Sequence, residues 1–288
     1  MNRWHVLLPI MVLLSLAAHG ADDSGRERLL ARLARVAELY RDTALGFACQ
    51  ETITYSGSET GRIGFAYLFI RDESGKLRDF RTWRTGTTVA ERGREVDPRD
   101  YKVPRFLASA YLWAFVFRSD RQPLYRFDVL REETVGDRTA VVIQFVPREP
   151  IRKGLNDWAG FASVDRETSQ LLEVEAYTPA DWNKRTRRDA DVARAQTLDV
   201  HDDRKSYEIE RIVTVFGFEK NGMRFPSHVA ITKTRSSVVP GPAQDALREV
   251  TVRTVTQDYS KFEFFSVRSS EEIQHFVNGE VPLASAGP

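Results

Sequence analysis

The chain has 288 residues, of which 42% are hydrophobic and 29% charged, with 42 lysines and arginines against 41 aspartates and glutamates. That composition supports a sizeable core and argues against wholesale disorder. A net charge of +1 without a basic stripe argues against a nucleic-acid partner, because phosphate-driven binding leaves a basic footprint.

Arg3 precedes the apolar run VLLPIMVLLSLAA (6–18), and Ala18-His19-Gly20 puts small residues at both positions that signal cleavage reads. Residues 1–20 are therefore expected to form a signal peptide, with Ala21 as the new N-terminus after export. The run is short for a bilayer crossing, the acidic ADDSG after it is a poor stop-transfer flank, and no cysteine stands at the cleavage region to carry a lipid anchor. The expected product is periplasmic or otherwise exported, soluble, and without a stable membrane span.

Residues 24–45 place Leu29, Leu33, Val36 and Tyr40 at helical spacing, with Gly46 just past the end. Glu27, Glu38 and Asp42 dilute the arginines, which favours a helix docked on the protein's own core over one lying on a membrane. Cys49, the single cysteine, occupies an apolar position at the start of a strand and reads as a buried, inert thiol.

After Gly46 the period changes from 3.6 to 2. Strands are predicted near 47–56, 62–71, 77–86, 124–134, 138–147, 159–165, 170–178, 206–218, 223–235, 247–259 and 262–267, with turns at Gly136-Asp137, Asp165-Arg166-Glu167-Thr168 and Asn221-Gly222. No Pro/Gly/Ser-rich linker divides them. The expected fold class is mainly β with helices (α+β): one domain, 21–270, holding a large curved antiparallel sheet of about eleven strands, followed by a flexible tail, 271–288.

Two segments break the strand pattern. RFLASAYLWAFVF (105–117), introduced by Pro104, is apolar nearly all round and predicts a buried helix. Residues 179–205 are rich in mixed charge and read as a long surface loop with a short helical piece.

Within GRIGFAYLFIR (61–71), Ile63, Phe65, Tyr67 and Phe69 share one side of an extended chain. They are expected on the concave side of the sheet. Gly64 and Ala66 then fall on the convex side, where the helix of residues 24–45 is expected to cover Leu68 and Ile70. IVTVFGF (212–218) is apolar on both faces in the same way. Large aromatics are stabilised by roughly 2–3 kcal/mol on burial and do not stay in water. The surplus implies either a well-filled core or a cavity between sheet and helices suited to an acyl chain or an apolar peptide segment. The residues expected to line such a cavity are Ile63, Phe65, Tyr67, Phe69, Leu112, Trp113 and Phe216.

Catalytic signatures are absent: there is no Gly-x-Ser-x-Gly elbow, P-loop, dinucleotide glycine fingerprint or His-Glu-x-x-His pair. DVHDD (199–203) presents Asp199, His201 and Asp203 on one side of an extended chain, but it is short and lies in the most polar segment, so a solvated loop is the better reading. Glu173 with Glu175, and Glu208 with Glu210, are expected on solvent faces of their strands. No enzyme, cofactor or metal is expected.

The stretch LNDWAGFASVDRETSQLLEVEAYT (155–178) is similar to the Trp…Gly…Val-Asp strand hairpin of the LolA/LolB-like periplasmic lipoprotein-handling proteins, with Trp158, Gly160, Val164 and Asp165 at matching places. The order of elements over residues 24–267 resembles that family as well. The resemblance implies an unclosed barrel whose concave face holds an apolar ligand under a helical plug or lid. The leading functional expectation is thus a non-enzymatic module that binds lipid, an acyl chain or a lipidated protein segment. The alternatives are a periplasmic protein-interaction or sensor domain with a filled core and, third, an unrecognised hydrolase.

Overall fold

The alternation that begins after Gly46 produces β1 (Phe47–Ser56), β2 (Gly61–Arg71) and β3 (Leu77–Trp83), followed by a small hairpin, β4 (Val89–Glu91) and β5 (Arg94–Val96). The computed structural model describes residues 8–42, 46–57, 60–71, 77–83, 89–91, 94–96, 112–148, 157–197, 205–238 and 247–264. Four further strands are β6 (Tyr125–Val135), β7 (Arg138–Pro147), β8 (Ala159–Asp165) and β9 (Leu171–Tyr177). After a helix come β10 (Lys205–Val215), β11 (Phe218–Lys220), β12 (Met223–Phe225), β13 (His228–Val238) and β14 (Leu247–Phe264).

Ten of these strands form one antiparallel sheet in the order β3-β2-β1-β14-β13-β10-β9-β8-β7-β6. Its edges, β3 and β6, do not pair with each other, so the sheet stays an unclosed barrel. This is the fold class that the alternation predicts, and its boundaries differ where local geometry intervenes. The two last predicted strands, 247–259 and 262–267, are one strand as far as Phe264, residues 265–267 lying outside the described residues: an irregularity opposite Cys49, with Lys261 at φ 55°, inserts a bulge. A bulge shifts side-chain parity by one. Val255, Gln257 and Tyr259 therefore face inward on one side of it, and Phe262 and Phe264 pack against the same core on the other. The predicted strand 206–218 ends at Val215, and β11 and β12 form a separate hairpin through Asn221-Gly222, both with positive φ as a tight two-residue turn requires.

Helix α1 spans Leu8–Asp42. It starts well upstream of the predicted residue 24, because the Ala- and Leu-rich stretch after Pro9 favours helix and isolated glycines, here Gly20 and Gly25, are tolerated. Leu33, Val36, Leu39 and Tyr40 are buried in the same core as the inward face of β1 and β2. The Tyr40 ring lies against Phe216 and Phe225, and its hydroxyl donates to the Arg224 carbonyl. This corrects the expectation that the helix covers Leu68 and Ile70 on the convex side: α1 sits on the concave side, where its apolar stripe meets the larger aromatics. Leu68 is only partly buried and Ala66 is exposed. The side chain of Ile70 lies outside the described residues.

Of the predicted helix 105–117, residues 105–111 lie outside the described residues; the rest contains α2 (Leu112–Val116), in which Trp113, Ala114 and Val116 are buried, as is the following Phe117. Among the described residues no helix is long and apolar enough to cross a membrane.

The largest departure is at 179–205. Instead of a loop with a short helical piece, Pro179–Thr197 forms a 19-residue helix, α3. The start signal is Thr178-Pro179-Ala180-Asp181: the Thr178 hydroxyl accepts from the Asp181 N–H at 3.1 Å and donates to the Asp181 carboxylate at 2.8 Å, with proline in the first turn where its missing N–H costs nothing. Helix α3 lies across β8, β9, β10 and β13. Trp182 packs on Phe161 and Tyr177, Arg188 pairs with Glu249 at 2.7 Å, and Lys184 donates to the Glu208 carbonyl at 3.1 Å. The sheet is thus sandwiched, with α1 and α2 on the concave face and α3 on the other.

In the β8–β9 hairpin, a Cβ on Gly160 would come within 1.9 Å of the Glu175 carbonyl oxygen, so only glycine fits there. Asp165 closes the turn. Its carboxylate accepts from the backbone N–H groups of Glu167 (2.9 Å) and Thr168 (2.8 Å) and from Arg138 (2.8 Å). Burial alone would raise its pKa, but the hydrogen bonds from Thr168, Arg138 and Glu167 outweigh it and hold the carboxyl below its ordinary value. A depressed folded-state pKa gives stability that is present above the unfolded value, about 3.9, and lost as pH falls through the folded value. Thermal unfolding followed against pH should show Asp165→Asn less stable than the parent at neutrality, with the gap closing below about pH 4. A gap independent of pH would mean that the charge of Asp165 contributes nothing.

Candidate functional site

Every second residue of β1 points into the concave core: Phe47, Cys49, Glu51, Ile53 and Tyr55. Four are apolar or aromatic. The fifth, Glu51, is a carboxylate with no solvent exposure at all. Its charge is met by Arg81 of β3, whose Nε donates to Oε2 at 2.6 Å and whose Nη2 donates to Oε1 at 3.2 Å, and by Gln257 of β14, whose Nε2 donates to Oε1 at 2.8 Å. Gln257 Nε2 also reaches the Tyr259 hydroxyl at 2.9 Å, and the Arg81 guanidinium lies 4.8 Å over the Tyr67 ring. Burial works against the Arg81 charge, yet the hydrogen bond and charge of Glu51 more than offset it, raising the Arg81 pKa. Burial and then the Glu51 charge push the Cys49 thiol up to about 12, so Cys49 is protonated and unreactive at neutral pH.

Beside this polar cluster lies an aromatic end of the concavity. Phe47 and Phe225 are buried, and Phe218, Phe262 and Phe264 are partly buried around them. Phe218 stacks on Phe262 at 4.4 Å, and Phe225 meets Phe264 at 4.7 Å. Tyr67 connects the two regions, with ring centroids 6.2 Å from Phe47, 6.4 Å from Phe69 and 5.7 Å from Tyr259.

The residues predicted to line a cavity, where described, belong to one continuous core. Ile63, Phe65, Tyr67 and Phe69 are on its sheet side, as the alternation predicts. Trp113 descends from α2, donates its indole N–H to Thr214 Oγ1 at 2.7 Å and meets Trp158 edge-on at 4.9 Å. Phe216 is buried beneath Tyr40. The side chain of Leu112 and the whole of Asp199, His201 and Asp203 lie outside the described residues.

Sequence reasoning missed Glu51, Arg81 and Gln257. The signal for Glu51 was available: it shares the parity of Phe47, Cys49, Ile53 and Tyr55, and a charge on the apolar face of a strand demands a partner. Nothing local marks Arg81 or Gln257, which are supplied by other strands. Glu173 and Glu175 also differ from expectation. They are half-buried, because α3 lies over them, and together with Glu133, Phe161, Ser163 and Arg185 they line a pocket of about 220 Å³. Burial, then the neighbouring Glu175 and Glu133 charges, raises the Glu173 pKa. Glu208 fits the solvent-face reading: Lys233 and Arg235 hold its pKa down at about 2.

The architecture is that of an unclosed antiparallel sheet wrapped around helices. No protein-family model and no curated protein matches the chain. Solved structures similar to it include a DUF1329 family protein from Desulfovibrio piger, at 12% identity over 85% of this chain and 96% of that one, with a TM-score of 0.42. Another is a putative outer membrane lipoprotein-sorting protein domain from Vibrio parahaemolyticus, at 12% identity over 86% and 97%, TM-score 0.36. A third is a LolA superfamily protein from Nitrosomonas europaea, at 10% identity over 82% and 92%, TM-score 0.34.

Proposed function

We propose that this protein is an exported, non-enzymatic binding module that holds an apolar group, an acyl chain or the lipidated segment of another protein, on the concave face of its sheet, with α1 and α2 as the cover. The observation that supports this reading is the aromatic end of the concavity. Phe218, Phe262 and Phe264 are left partly exposed in a stacked group directly over the buried Phe47 and Phe225, so an acyl chain placed there removes apolar surface from water without first opening the deeper core. In this reading Ile63, Phe65, Tyr67, Phe69, Trp113 and Phe216 are the deeper wall that a longer chain would reach.

A second reading, a protein-interaction or sensor domain with a filled core, is favoured by the packing of that wall: Phe65, Tyr67, Trp113 and Phe216 are each only 1% exposed. The two separate on one experiment. A dodecanoyl chain carrying a neutral fluorophore should bind the parent protein, and the double substitution Phe218→Ser with Phe262→Ser should weaken it by about tenfold or more, since each ring supplies on the order of 1–2 kcal/mol of contact. Mass spectrometry of material released on denaturation should find acyl chains. No probe binding and no released lipid would leave the filled-core reading.

A further inference from the structure

Gln257 has no solvent exposure, and its Oε1 has no hydrogen-bond partner among the described residues. The assignment of its two amide atoms is fixed by chemistry. Nε2 faces the Glu51 carboxylate and the Tyr259 hydroxyl, and turning the amide over would set Oε1 against a carboxylate oxygen. A buried acceptor left unpaired is costly, and such atoms in folded proteins are normally met by a donor.

The surroundings restrict what that donor can be. Glu51 and Arg81 already neutralise each other through two hydrogen bonds, so the cluster offers an incoming ion no uncompensated charge. A carboxylate head would in addition bring acceptors to an acceptor. The cluster is also continuous with the aromatic end, through Tyr259 and Tyr67 to Phe47 and Phe69. Gln257 is fully enclosed, so a chain lying on those rings brings its head group to Oε1 by parting the Tyr67 and Tyr259 rings, a step deeper than contact with the aromatic end alone.

We infer that the concave site takes an apolar ligand whose head is neutral and donates a hydrogen bond, an amide N–H or a hydroxyl, with Gln257 Oε1 as the acceptor. The inference rests on the acyl-binding reading above and specifies the class of ligand within it: N-acylated or hydroxylated lipid, and not free fatty acid. Glu51 and Arg81 are positioning residues here, because the hydrogen bond from Gln257 to Glu51 is what turns Oε1 away from the carboxylate.

The test uses the full chain and two pairs of probes, each differing only in the donor: N-methyldecanamide against N,N-dimethyldecanamide, and decan-1-ol against its methyl ether. Displacement of the fluorescent dodecanoyl probe reports binding of each. The donor-bearing member of at least one pair should bind about tenfold more tightly, the effect of satisfying one buried acceptor, and the pair that shows it identifies amide or hydroxyl as the source. Gln257→Met should remove the preference while still binding the blocked probes. Equal affinities within both pairs for the parent protein would overturn the inference, leaving a buried water as the partner of Oε1 and the acyl-binding reading intact. Failure of all four compounds and of the fluorescent probe to bind would overturn both. The comparison on the parent protein decides the matter even where Gln257→Met does not fold.

Discussion

Arg81→Met is expected to destabilise the protein by about 3–5 kcal/mol, because it leaves the Glu51 carboxylate buried without its counter-charge. Both partners are shielded: the Arg81 side chain is 17% exposed and that of Glu51 is 0% exposed. Removing one charge therefore does more harm than removing two. Glu51→Gln combined with Arg81→Met should recover most of the loss, since a neutral pair of similar volume carries no desolvation penalty and the introduced amide keeps a hydrogen bond to Gln257. Chemical denaturation of the two single variants and the double variant closes the cycle. A single variant within about 1 kcal/mol of the parent would place the pair in a far wetter setting than the geometry gives it.

Trp113→Ala should cost a similar amount, about 3–5 kcal/mol, for a different reason. The indole fills the space between α2 and the sheet, meets Trp158 edge-on and satisfies the Thr214 hydroxyl, which is itself fully buried. Trp113→Phe separates these contributions: it retains most of the ring and loses the N–H, so its cost should be nearer 1–3 kcal/mol, the price of a stranded polar group. Trp113→Asp should prevent folding outright, as an unpaired charge would enter the core. Should all three variants melt with the parent, α2 does not hold the core together.

Much of the sheet was legible because period-2 alternation is written directly into the chain. β1 and β8 fall at 47–56 and 159–165 as predicted, and the inward set Ile63, Phe65, Tyr67 and Phe69 follows from parity alone. What parity cannot give is which side of the sheet a helix chooses. Tyr40 turned out to need Phe216 and Phe225, residues far along the chain, and that placed α1 on the concave side. Continuity was misread at Lys261, where a bulge resembles a gap between two strands. Helix α3 was hidden by its charge, and Thr178 with Asp181 was the local signal that outranked composition. The polar heart of the candidate site was the least visible, since Glu51, Arg81 and Gln257 come from three strands and only the folded sheet makes them neighbours.

That last hydrogen bond has a bearing on how the molecule is made. Glu51 and Gln257 are 206 residues apart along the chain, and β1, an interior strand, pairs with both β2 and β14. The N-terminal strands emerge first from the ribosome, yet the strand that joins them to the rest is the last of the described strands to be synthesised. Until β14 arrives, β1 carries an open backbone edge and Glu51 lacks a partner on that side, a condition that invites pairing with other chains. Contacts of such long sequence separation slow folding, because the loop must close before any of them forms. A chain cut short before Leu247 would lose not an edge of this sheet but its seam, leaving three strands on one side and six on the other with none to join them.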